Sequence, residues 1–328
     1  MNKARLDEIA TIQDLAQVVR RHIQKVTLGY LESGAIGKAV LRRNHEALDP
    51  ITLVPQYIRN VWSRAATTSV FGQTYDLPIE FANATWRGAE QMLAAAASNA
   101  NVPYSLSTVG TTSIERIATN ASGNVWFQLY VAQDHNVTFD LLRRANAAGV
   151  QVLLITVDVP IQSKSVQDIR NGFKLPLRPK LANIVDVLRR PTWLLGSAVA
   201  GLSRFESLVK YGLPSASAFG DRLTVMLDSG IRSGEDVLRR LSSGGEFVFF
   251  GRSFAYGAAA AGTAAVAETL SRFNDDILRA LARLGINNLT GLRSRGATKP
   301  EKPNCGDKPR ECCVRRPAIA DFRLPITT

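Results

Sequence analysis

The 328-residue sequence has few cysteines and histidines and no long hydrophobic run. Its three cysteines, Cys305, Cys312 and Cys313, lie near the carboxyl terminus. Their spacing fits no common zinc pattern and no histidine follows them, so no metal site is expected. The apolar stretches Trp193–Leu202 and Phe254–Ala267 are too short, or too rich in Gly and Ala, to span a bilayer. The amino terminus lacks the basic and apolar regions of a signal peptide, so a cytoplasmic protein is expected.

The formal charge of +12 is distributed unevenly along the chain. Residues 293–316 hold eight Lys or Arg against three Asp or Glu, which weakens the case for a nucleic-acid partner, and none is expected. Residues 293–328 are also rich in Pro and show no apolar periodicity, as is typical of a disordered segment. The sequence therefore predicts a single domain over residues 1–292, followed by a disordered basic tail.

Short apolar runs alternate with segments of helical periodicity through the middle of the chain. Strand, helix and strand in succession predict parallel pairing with right-handed crossovers, hence an α/β fold that is either a doubly wound sheet or a (β/α)8 barrel. An amino-terminal helix is expected from Ile9 to Val26. The predicted strands are Leu77–Ala82, Tyr104–Ser107, Val125–Val131, Val152–Val157, Leu223–Leu227 and Phe247–Phe250. The predicted helices are Ala89–Asn99, Ser113–Thr119, Asn136–Ala148 and Gly234–Leu241.

Polar residues stand at the carboxyl ends of three successive predicted strands. They are Ser107 with Thr108, Gln128 with Tyr130, and Thr156 with Asp158. A single polar residue at a strand end is often a turn residue or a helix cap. The carboxyl ends of barrel strands are also where barrel enzymes assemble their active sites, and three such ends in succession favour a site.

Two later strands run into glycine-containing turns that carry an arginine. The first turn is Asp228-Ser229-Gly230-Ile231-Arg232, and the second is Gly251-Arg252 directly after Phe247–Phe250. Each turn presents backbone N–H groups and a helix amino terminus beside an arginine, which is how proteins hold a phosphate. One Gly-Arg pair would be weak evidence, but the loops after barrel strands seven and eight commonly bind phosphate. The two turns together favour phosphate binding.

Taken together, these motifs resemble the FMN-dependent 2-hydroxy acid oxidases and dehydrogenases, the family of glycolate oxidase, flavin-type L-lactate dehydrogenase and mandelate dehydrogenase. The resemblance runs from about Thr27 to Leu292 and is nearest to the mandelate dehydrogenase branch. The matched pieces are Tyr30–Ala35, Leu106–Thr108, Trp126–Val131, Thr156–Pro160, Arg170–Phe173, Asp228–Arg232 and Gly251–Arg252.

The resemblance implies FMN as the cofactor and gives roles to the matched residues. Ser107, Gln128 and Thr156 would bind the flavin, the last two by hydrogen bonds to its ring. The ribityl chain and phosphate would be held by Asp228, Ser229, Gly230, Ile231, Arg232, Gly251 and Arg252. Tyr30 and Tyr130 would contact the substrate, a small 2-hydroxy acid that is oxidised to a 2-oxo acid. Relatives are often tetrameric, so a homo-oligomer is compatible with the resemblance.

Parts of the family pattern are missing from this sequence. Two whole βα units have no counterpart near residues 219–223, which predicts an incomplete (β/α)8 barrel that lacks about two units. The missing units would bring the family's catalytic histidine with its neighbouring arginine, and none of His22, His45 and His135 matches that position. Ser165 stands where the family has a further substrate arginine. No catalytic base is identified.

Three functional hypotheses remain open. The first is a family member with weak or no activity, because its catalytic base is absent. The second is a non-catalytic protein that binds flavin or phosphate. The third is a basic interaction protein at an acidic surface, in which residues 180–213 and the tail make the contact. Residues 180–213 mix basic and apolar side chains, which suits either peripheral membrane contact or a plug for the incomplete barrel.

Overall fold

The computed structural model describes residues 9–32, 39–82, 88–121, 123–132, 134–156, 189 and 226–293. Several predictions concern residues outside these ranges: the break near 219–223, the segment 180–213, Ser165 and, from residue 294 onward, the carboxyl-terminal tail. They stay predictions, as does the single-domain boundary at residue 292. No helix of the described ranges is long and apolar enough to cross a membrane.

Six parallel strands form one curled sheet, which is the fold expected from the sequence. The strands are β3 (Ile79–Phe81), β4 (Tyr104–Ser107), β5 (Val125–Tyr130), β6 (Val152–Thr156), β7 (Met226–Leu227) and β8 (Phe247–Phe250), in the order β6-β5-β4-β3-β8-β7. Pairing of β3 with β8 joins the first and last strands of the series, as closure of a barrel requires. Because β6 and β7 lie at the two edges of the described sheet, the result is a partial (β/α)8 barrel, which we call the half-barrel.

Ten helices lie within the described ranges. They are α1 (Ile12–His22), α2 (Lys25–Leu31), α3 (Ala39–Glu46), α4 (Ala89–Asn99), α5 (Ile114–Asn120), α6 (His135–Ala147), α7 (Gly234–Ser242), α8 (Arg252–Ala261), α9 (Thr263–Leu284) and α10 (Leu289–Arg293). The predicted barrel helices agree with α4, α5, α6 and α7 to within one residue at each end. A helix was also predicted directly after Gly251, without an end point, and this is α8, whereas α3, α9 and α10 were not predicted.

Side chains alternate between the two faces of the sheet, as the two-residue period of a strand requires. The outward face carries Phe81, Leu106 and Phe127, which join the main hydrophobic core with Leu93 of α4 and Ile117 of α5. The inward face carries Trp126, Val152 and Phe247, which form a separate cluster with Val70 and Tyr75. The barrel interior is therefore filled largely by aromatic residues at its lower end, where the strands begin.

A short hairpin supplies part of this hydrophobic cluster, which we call the aromatic plug. Strands β1 (Thr68–Val70) and β2 (Gln73–Tyr75) pair in antiparallel fashion ahead of the parallel sheet. The indole Nε1 of Trp126 donates a hydrogen bond to the hydroxyl of Tyr75 over 3.2 Å, which joins the hairpin to β5. Three-residue strands are too short for a pattern search, so the sequence analysis missed both of them.

The prediction of one amino-terminal helix from Ile9 to Val26 was wrong in its extent. Thr11 and Asp14 form a reciprocal capping box that begins α1, and the backbone becomes extended at Ile23, before α2 begins. The apolar face of α1 buries Leu15 and Val19 against Ala255 and Tyr256 of α8. The amino-terminal segment is thereby fastened beside the start of α8.

Candidate functional site

Three of the residues singled out from the sequence form one hydrogen-bonded row across neighbouring strands. The hydroxyl of Ser107 donates to Oε1 of Gln128 over 2.6 Å, and Nε2 of Gln128 donates to Oγ1 of Thr156 over 2.5 Å. These contacts fix the amide orientation of Gln128. Ser107 is buried, whereas the other two side chains are partly exposed. We call Ser107, Gln128 and Thr156 the polar row.

Strand register brings the polar row together. Ser107 pairs with Gln128, and Tyr130 pairs with Thr156, in a parallel sheet whose carboxyl ends share one edge. Thr108 braces the same edge, because its hydroxyl donates to the carbonyl of Gln128 over 2.7 Å and accepts from the Tyr130 N–H over 3.0 Å. Tyr130 therefore stands at the end of β5 beside the row. The backbone of Tyr30 lies in α2, but its side chain is outside the described part of the structure.

The turn after β7 is tightly constrained. Ser229 and Gly230 have φ values of +74° and +87°, in the left-handed region that favours glycine. A Cβ at Gly230 would lie 2.3 Å from the carbonyl oxygen of Asn44, so only glycine lets α3 approach this closely. Arg240 of α7 donates to the Ser229 carbonyl over 2.7 Å. Ile231 is buried.

Asp228 lies at the mouth of the half-barrel with an exposed side chain. Desolvation by the surrounding protein raises its pKa, while the Ser229 N–H and the charges of Arg252 and Arg240 oppose that rise. The 2.5 Å hydrogen bond from the Ser229 N–H holds one carboxylate oxygen.

The amino terminus of α7 is closed by its own side chains. Ser233 caps the helix by accepting from the Asp236 N–H over 3.2 Å, and Asp236 accepts in return from the Arg232 N–H over 3.0 Å. The Gly234 N–H donates to Asp276 of α9 over 3.3 Å. These backbone donors are already engaged, so this helix start offers little to an anion.

The amino terminus of α8 is open. Its cap residue is Gly251, and no described side chain caps the helix. A Cβ built on Gly251 would meet no atom within 4 Å, so open space faces the first turn. The first N–H groups of an uncapped helix point outward with a partial positive charge and favour an anion. A phosphate therefore fits at Gly251 and Arg252 better than at the start of α7.

Three arginines converge on this helix start. Arg232 interacts electrostatically with Arg252 and with Arg20 of α1, and all three arginines, together with Glu32, interact with the phenol of Tyr256. Arg20 is held by Glu32 over 2.8 Å, whereas within the described ranges Arg232 and Arg252 have no ion pair. Partial desolvation lowers the pKa of Arg232, and the charges of Arg252 and Arg20 lower it further, whereas Tyr256 and Asp236 act in the opposite direction. A bound dianion would relieve this repulsion.

His45 also lies near Arg232 and Arg252, which was not predicted from the sequence. Its ring contacts the backbone of Gly230, and desolvation followed by the charge of Arg232 lowers its pKa. It belongs to α3. His22 contacts the Val18 carbonyl within α1, and His135 begins α6. None of the three reaches the polar row.

A cavity of about 510 Å³ lies between α1, α7 and α9. Its lining includes four carboxylates, Asp49, Asp236, Glu268 and Asp276, against the side chains of His45, Arg232 and Arg272. A phosphate is disfavoured in such surroundings because like charges repel. The anion site is therefore assigned to the α8 start and not to this cavity.

The fold and these strand ends define an α/β-barrel protein whose carboxyl edge carries a polar row and a cationic, uncapped helix start. A family model of FMN-dependent dehydrogenases matches residues 19–213 and 206–298. The chain therefore belongs to the FMN-dependent dehydrogenase family, which confirms the resemblance found in the sequence and FMN as the family's cofactor.

Curated relatives support the same assignment. L-lactate dehydrogenase of Azorhizobium caulinodans is 27% identical over 371 aligned positions, which cover 87% of this chain and 96% of the relative. A 2-hydroxyacid oxidase of Dictyostelium discoideum is 28% identical, covering 88% of this chain and 90% of the relative. The alignment of 371 positions is longer than this chain of 328 residues, so the relative contains residues that have no counterpart here.

Solved structures agree in fold. A monotopic membrane protein, (S)-mandelate dehydrogenase, superposes with a TM-score of 0.82 at 22% identity, covering 89% of this chain and all of that one. A mandelate oxidase variant with (S)-mandelic acid superposes with a TM-score of 0.72 at 25% identity, covering 89% of this chain and 99% of that one. The sequence-based expectation of a partial barrel is confirmed.

Proposed function

We propose that this chain binds FMN at the carboxyl edge of its half-barrel. The uncapped start of α8, flanked by Arg232 and Arg252, carries the proposal, because it lies on the same sheet edge as the polar row. In this proposal Gly251, Arg252 and Arg232 hold the phosphate. Asp228 to Ile231 border the ribityl chain, and Ser107, Gln128 and Thr156 face the flavin ring.

Bound FMN would supply a two-electron acceptor, which no side chain of the chain can provide. The family background supports a small 2-hydroxy acid as the reductant, to be oxidised to a 2-oxo acid. Tyr130, at the end of β5 beside the polar row, is proposed to contact that substrate together with Tyr30. The polar row itself is proposed to orient the ring, because its hydrogen bonds already fix the Gln128 amide.

We further propose that turnover is weak or absent, because a general base is missing from the described edge. His45 lies beside Gly230, His22 contacts the Val18 carbonyl and His135 begins α6, and no contact among the described residues joins any of them to the polar row. The family model matches the chain in two pieces that overlap at residues 206–213, and the alignment to a relative is longer than this chain. Both observations support the absence of the βα units. Loss of a general base typically costs 10²–10⁴-fold in rate, about 3–5 kcal/mol of barrier.

Titration of the purified full-length chain with FMN, followed by flavin fluorescence, tests cofactor binding. Saturable binding is expected, with riboflavin bound more weakly because it lacks the phosphate. Equal binding of the two flavins would refute the proposed phosphate site. Absence of any binding would refute the function as a whole.

A second candidate, a non-catalytic flavin binder, is favoured by the positions of the three histidines. Anaerobic addition of L-lactate and of L-mandelate to the FMN-loaded protein separates the two. Bleaching of the flavin band within seconds would mean that another group serves as the base. A band that persists for hours would support the non-catalytic binder.

Membrane contact through residues 180–213 is proposed on the likeness to a monotopic membrane protein. Sedimentation with vesicles of anionic and of neutral lipid tests it. Binding to anionic vesicles that weakens with salt is expected. Binding to nucleic acid with the same salt dependence, and no flavin, would instead favour the basic interaction protein.

A further inference from the structure

Glu80 is a carboxyl group buried inside the half-barrel. It is the middle residue of β3, between Ile79 and Phe81, which both belong to the outer hydrophobic core. Because side chains alternate along a strand, Glu80 points to the opposite, inner face. Its exposed fraction is 0%. A charged residue type at such a position requires a reason, since Glu is almost never fully buried unless it is paired.

The hydrogen bonds of Glu80 are incomplete. Oε1 accepts from the Ser105 N–H over 3.1 Å, whereas Oε2 has no hydrogen-bond partner in the described ranges. The buried hydroxyl of Ser105 makes no hydrogen bond of good geometry either, although it interacts with Glu80 and opposes the rise in the pKa of that carboxyl. An unsatisfied buried polar atom destabilises the fold, and each such atom in a native protein calls for an explanation.

The surroundings favour a neutral acid at this position. Burial raises the pKa of Glu80 well above its ordinary value, and the negative charge of Asp228 raises it further, while the bonds from Ser105 act in the opposite direction. Tyr104 is the other titratable group that interacts with it from β4, and burial raises the pKa of that phenol too. A protonated Glu80 has one O–H donor that no described residue accepts.

Glu80 and the polar row lie on the same inner face of the sheet. Ser105 and Ser107 are two residues apart on β4, so the Ser105 level lies about 7 Å below the polar row. Asp228, which interacts with Glu80, stands at the same mouth of the half-barrel. Glu80 thus lies on the inner wall between the aromatic plug below and the polar row above.

We infer that Glu80 belongs to the flavin site, as a neutral carboxylic acid that donates a hydrogen bond from Oε2 to bound FMN. The inference rests on the proposed function. It explains why an acid is kept at a position where an apolar side chain would stabilise the empty protein. Replacement of a buried, incompletely bonded polar group by an apolar one of similar size is often neutral or stabilising.

The test compares Glu80→Leu and Glu80→Gln in the full-length chain, with thermal stability measured without FMN and affinity measured by FMN titration. Glu80→Leu should keep or raise the melting temperature of the FMN-free protein while weakening FMN binding about tenfold. Glu80→Gln keeps a donor and should change affinity less than about threefold. A matched control is Glu90→Gln, because Glu90 is buried but fully bonded to Thr111 through both oxygens. That control should lower stability and leave FMN affinity unchanged.

The pH dependence gives a second readout if Glu80→Leu fails to fold. Because the folded pKa of Glu80 is raised, its proton is lost only as pH rises through that pKa, and FMN affinity should fall over that range. Glu80→Gln should abolish this fall. If the wild-type chain binds FMN and both Glu80 variants bind it equally well with the same pH profile, the inference is wrong although the proposed function stands. If the wild-type chain binds no FMN, both are wrong.

Discussion

Helices α7 and α8 begin at the same edge of the same sheet, one strand apart, yet their first turns are built differently. Ser233 and Asp236 close the start of α7, and Asp276 takes a further N–H group. Gly251 leaves the start of α8 without a side-chain cap, beside Arg252. A helix start that satisfies its own donors serves stability, whereas one that leaves them open beside cations with no ion pair among the described residues is suited to an anion. The predictions below test this division.

Substitution of Arg252 should have the largest effect. Arg252→Gln removes a charge-assisted contact at the open start, and we expect FMN affinity to fall roughly 10- to 100-fold, about 1.5–3 kcal/mol. Riboflavin affinity should change little, because riboflavin has no phosphate. Titration with both flavins measures the difference.

The control for this substitution is Arg239→Gln on α7. Arg239 already pairs with Asp236 over 2.8 Å, so its loss should leave FMN affinity unchanged. An equal loss in Arg239→Gln and Arg252→Gln would mean that general positive charge, and not the open helix start, governs binding. An equal loss for FMN and riboflavin in Arg252→Gln would contradict the phosphate assignment.

Substitution of Ser233 should produce the opposite pattern at the closed start. Ser233→Ala removes the cap of α7, and we expect it to lower the free energy of unfolding by about 1 kcal/mol. FMN affinity should stay within about twofold, provided that the turn keeps its shape. Urea unfolding of the FMN-free chain measures the first quantity. A large loss of FMN affinity without a loss of stability would reverse the roles of the two helix starts.

Much of this edge could be predicted from the sequence. Parallel strands share a direction, so polar residues after successive apolar runs are expected at one edge of the sheet. The strand ends indicated this edge, and the family resemblance singled out Ser107, Gln128 and Thr156 within it. The contrast between the helix starts was not predicted, because both turns were expected to bind phosphate, whereas the structure shows the start of α7 closed by Ser233, Asp236 and Asp276. Strand lengths were overestimated at the first strand, where Leu77 to Ala82 shortened to Ile79–Phe81.

The contributions of Arg20, His45 and Glu80 could not be predicted. Arg20 and His45 lie far from the barrel in sequence and reach the phosphate turn only because α1 packs on α8 and α3 contacts Gly230. Glu80 was not singled out from the sequence, and only its exposed fraction of 0% in the fold distinguishes it from other acidic residues. Tertiary contacts of this kind leave no local pattern.

Substitution of Arg20 tests whether the charge of a residue on α1 contributes to FMN binding at the open start of α8. Arg20→Gln should weaken FMN binding roughly threefold to fivefold, because Arg20 is about half exposed and already pairs with Glu32, so water screens its charge. Arg21→Gln, on the next residue of α1, is the matched control and should have no effect. The Arg20 effect should shrink at high salt. An effect of similar size on riboflavin would show that α1 acts through packing and not through charge.

Substitution of Ser229 should have the smallest effect and probes the rigid turn before α7. Ser229 has φ of +74°, which costs a non-glycine residue about 1–2 kcal/mol, whereas glycine loses about 0.5–1 kcal/mol more chain entropy on folding. Ser229→Gly should therefore stabilise the FMN-free chain by a net of about 0.5 kcal/mol. Ser243→Gly is the comparison, because Ser243 has φ of −83°, so glycine there relieves no backbone strain, costs chain entropy and removes the 2.8 Å hydrogen bond from the Ser243 hydroxyl to the Arg239 carbonyl. Loss of stability in Ser229→Gly comparable to that in Ser243→Gly would mean that contacts of the Ser229 side chain offset its backbone strain, and that this turn is braced by more than Arg240.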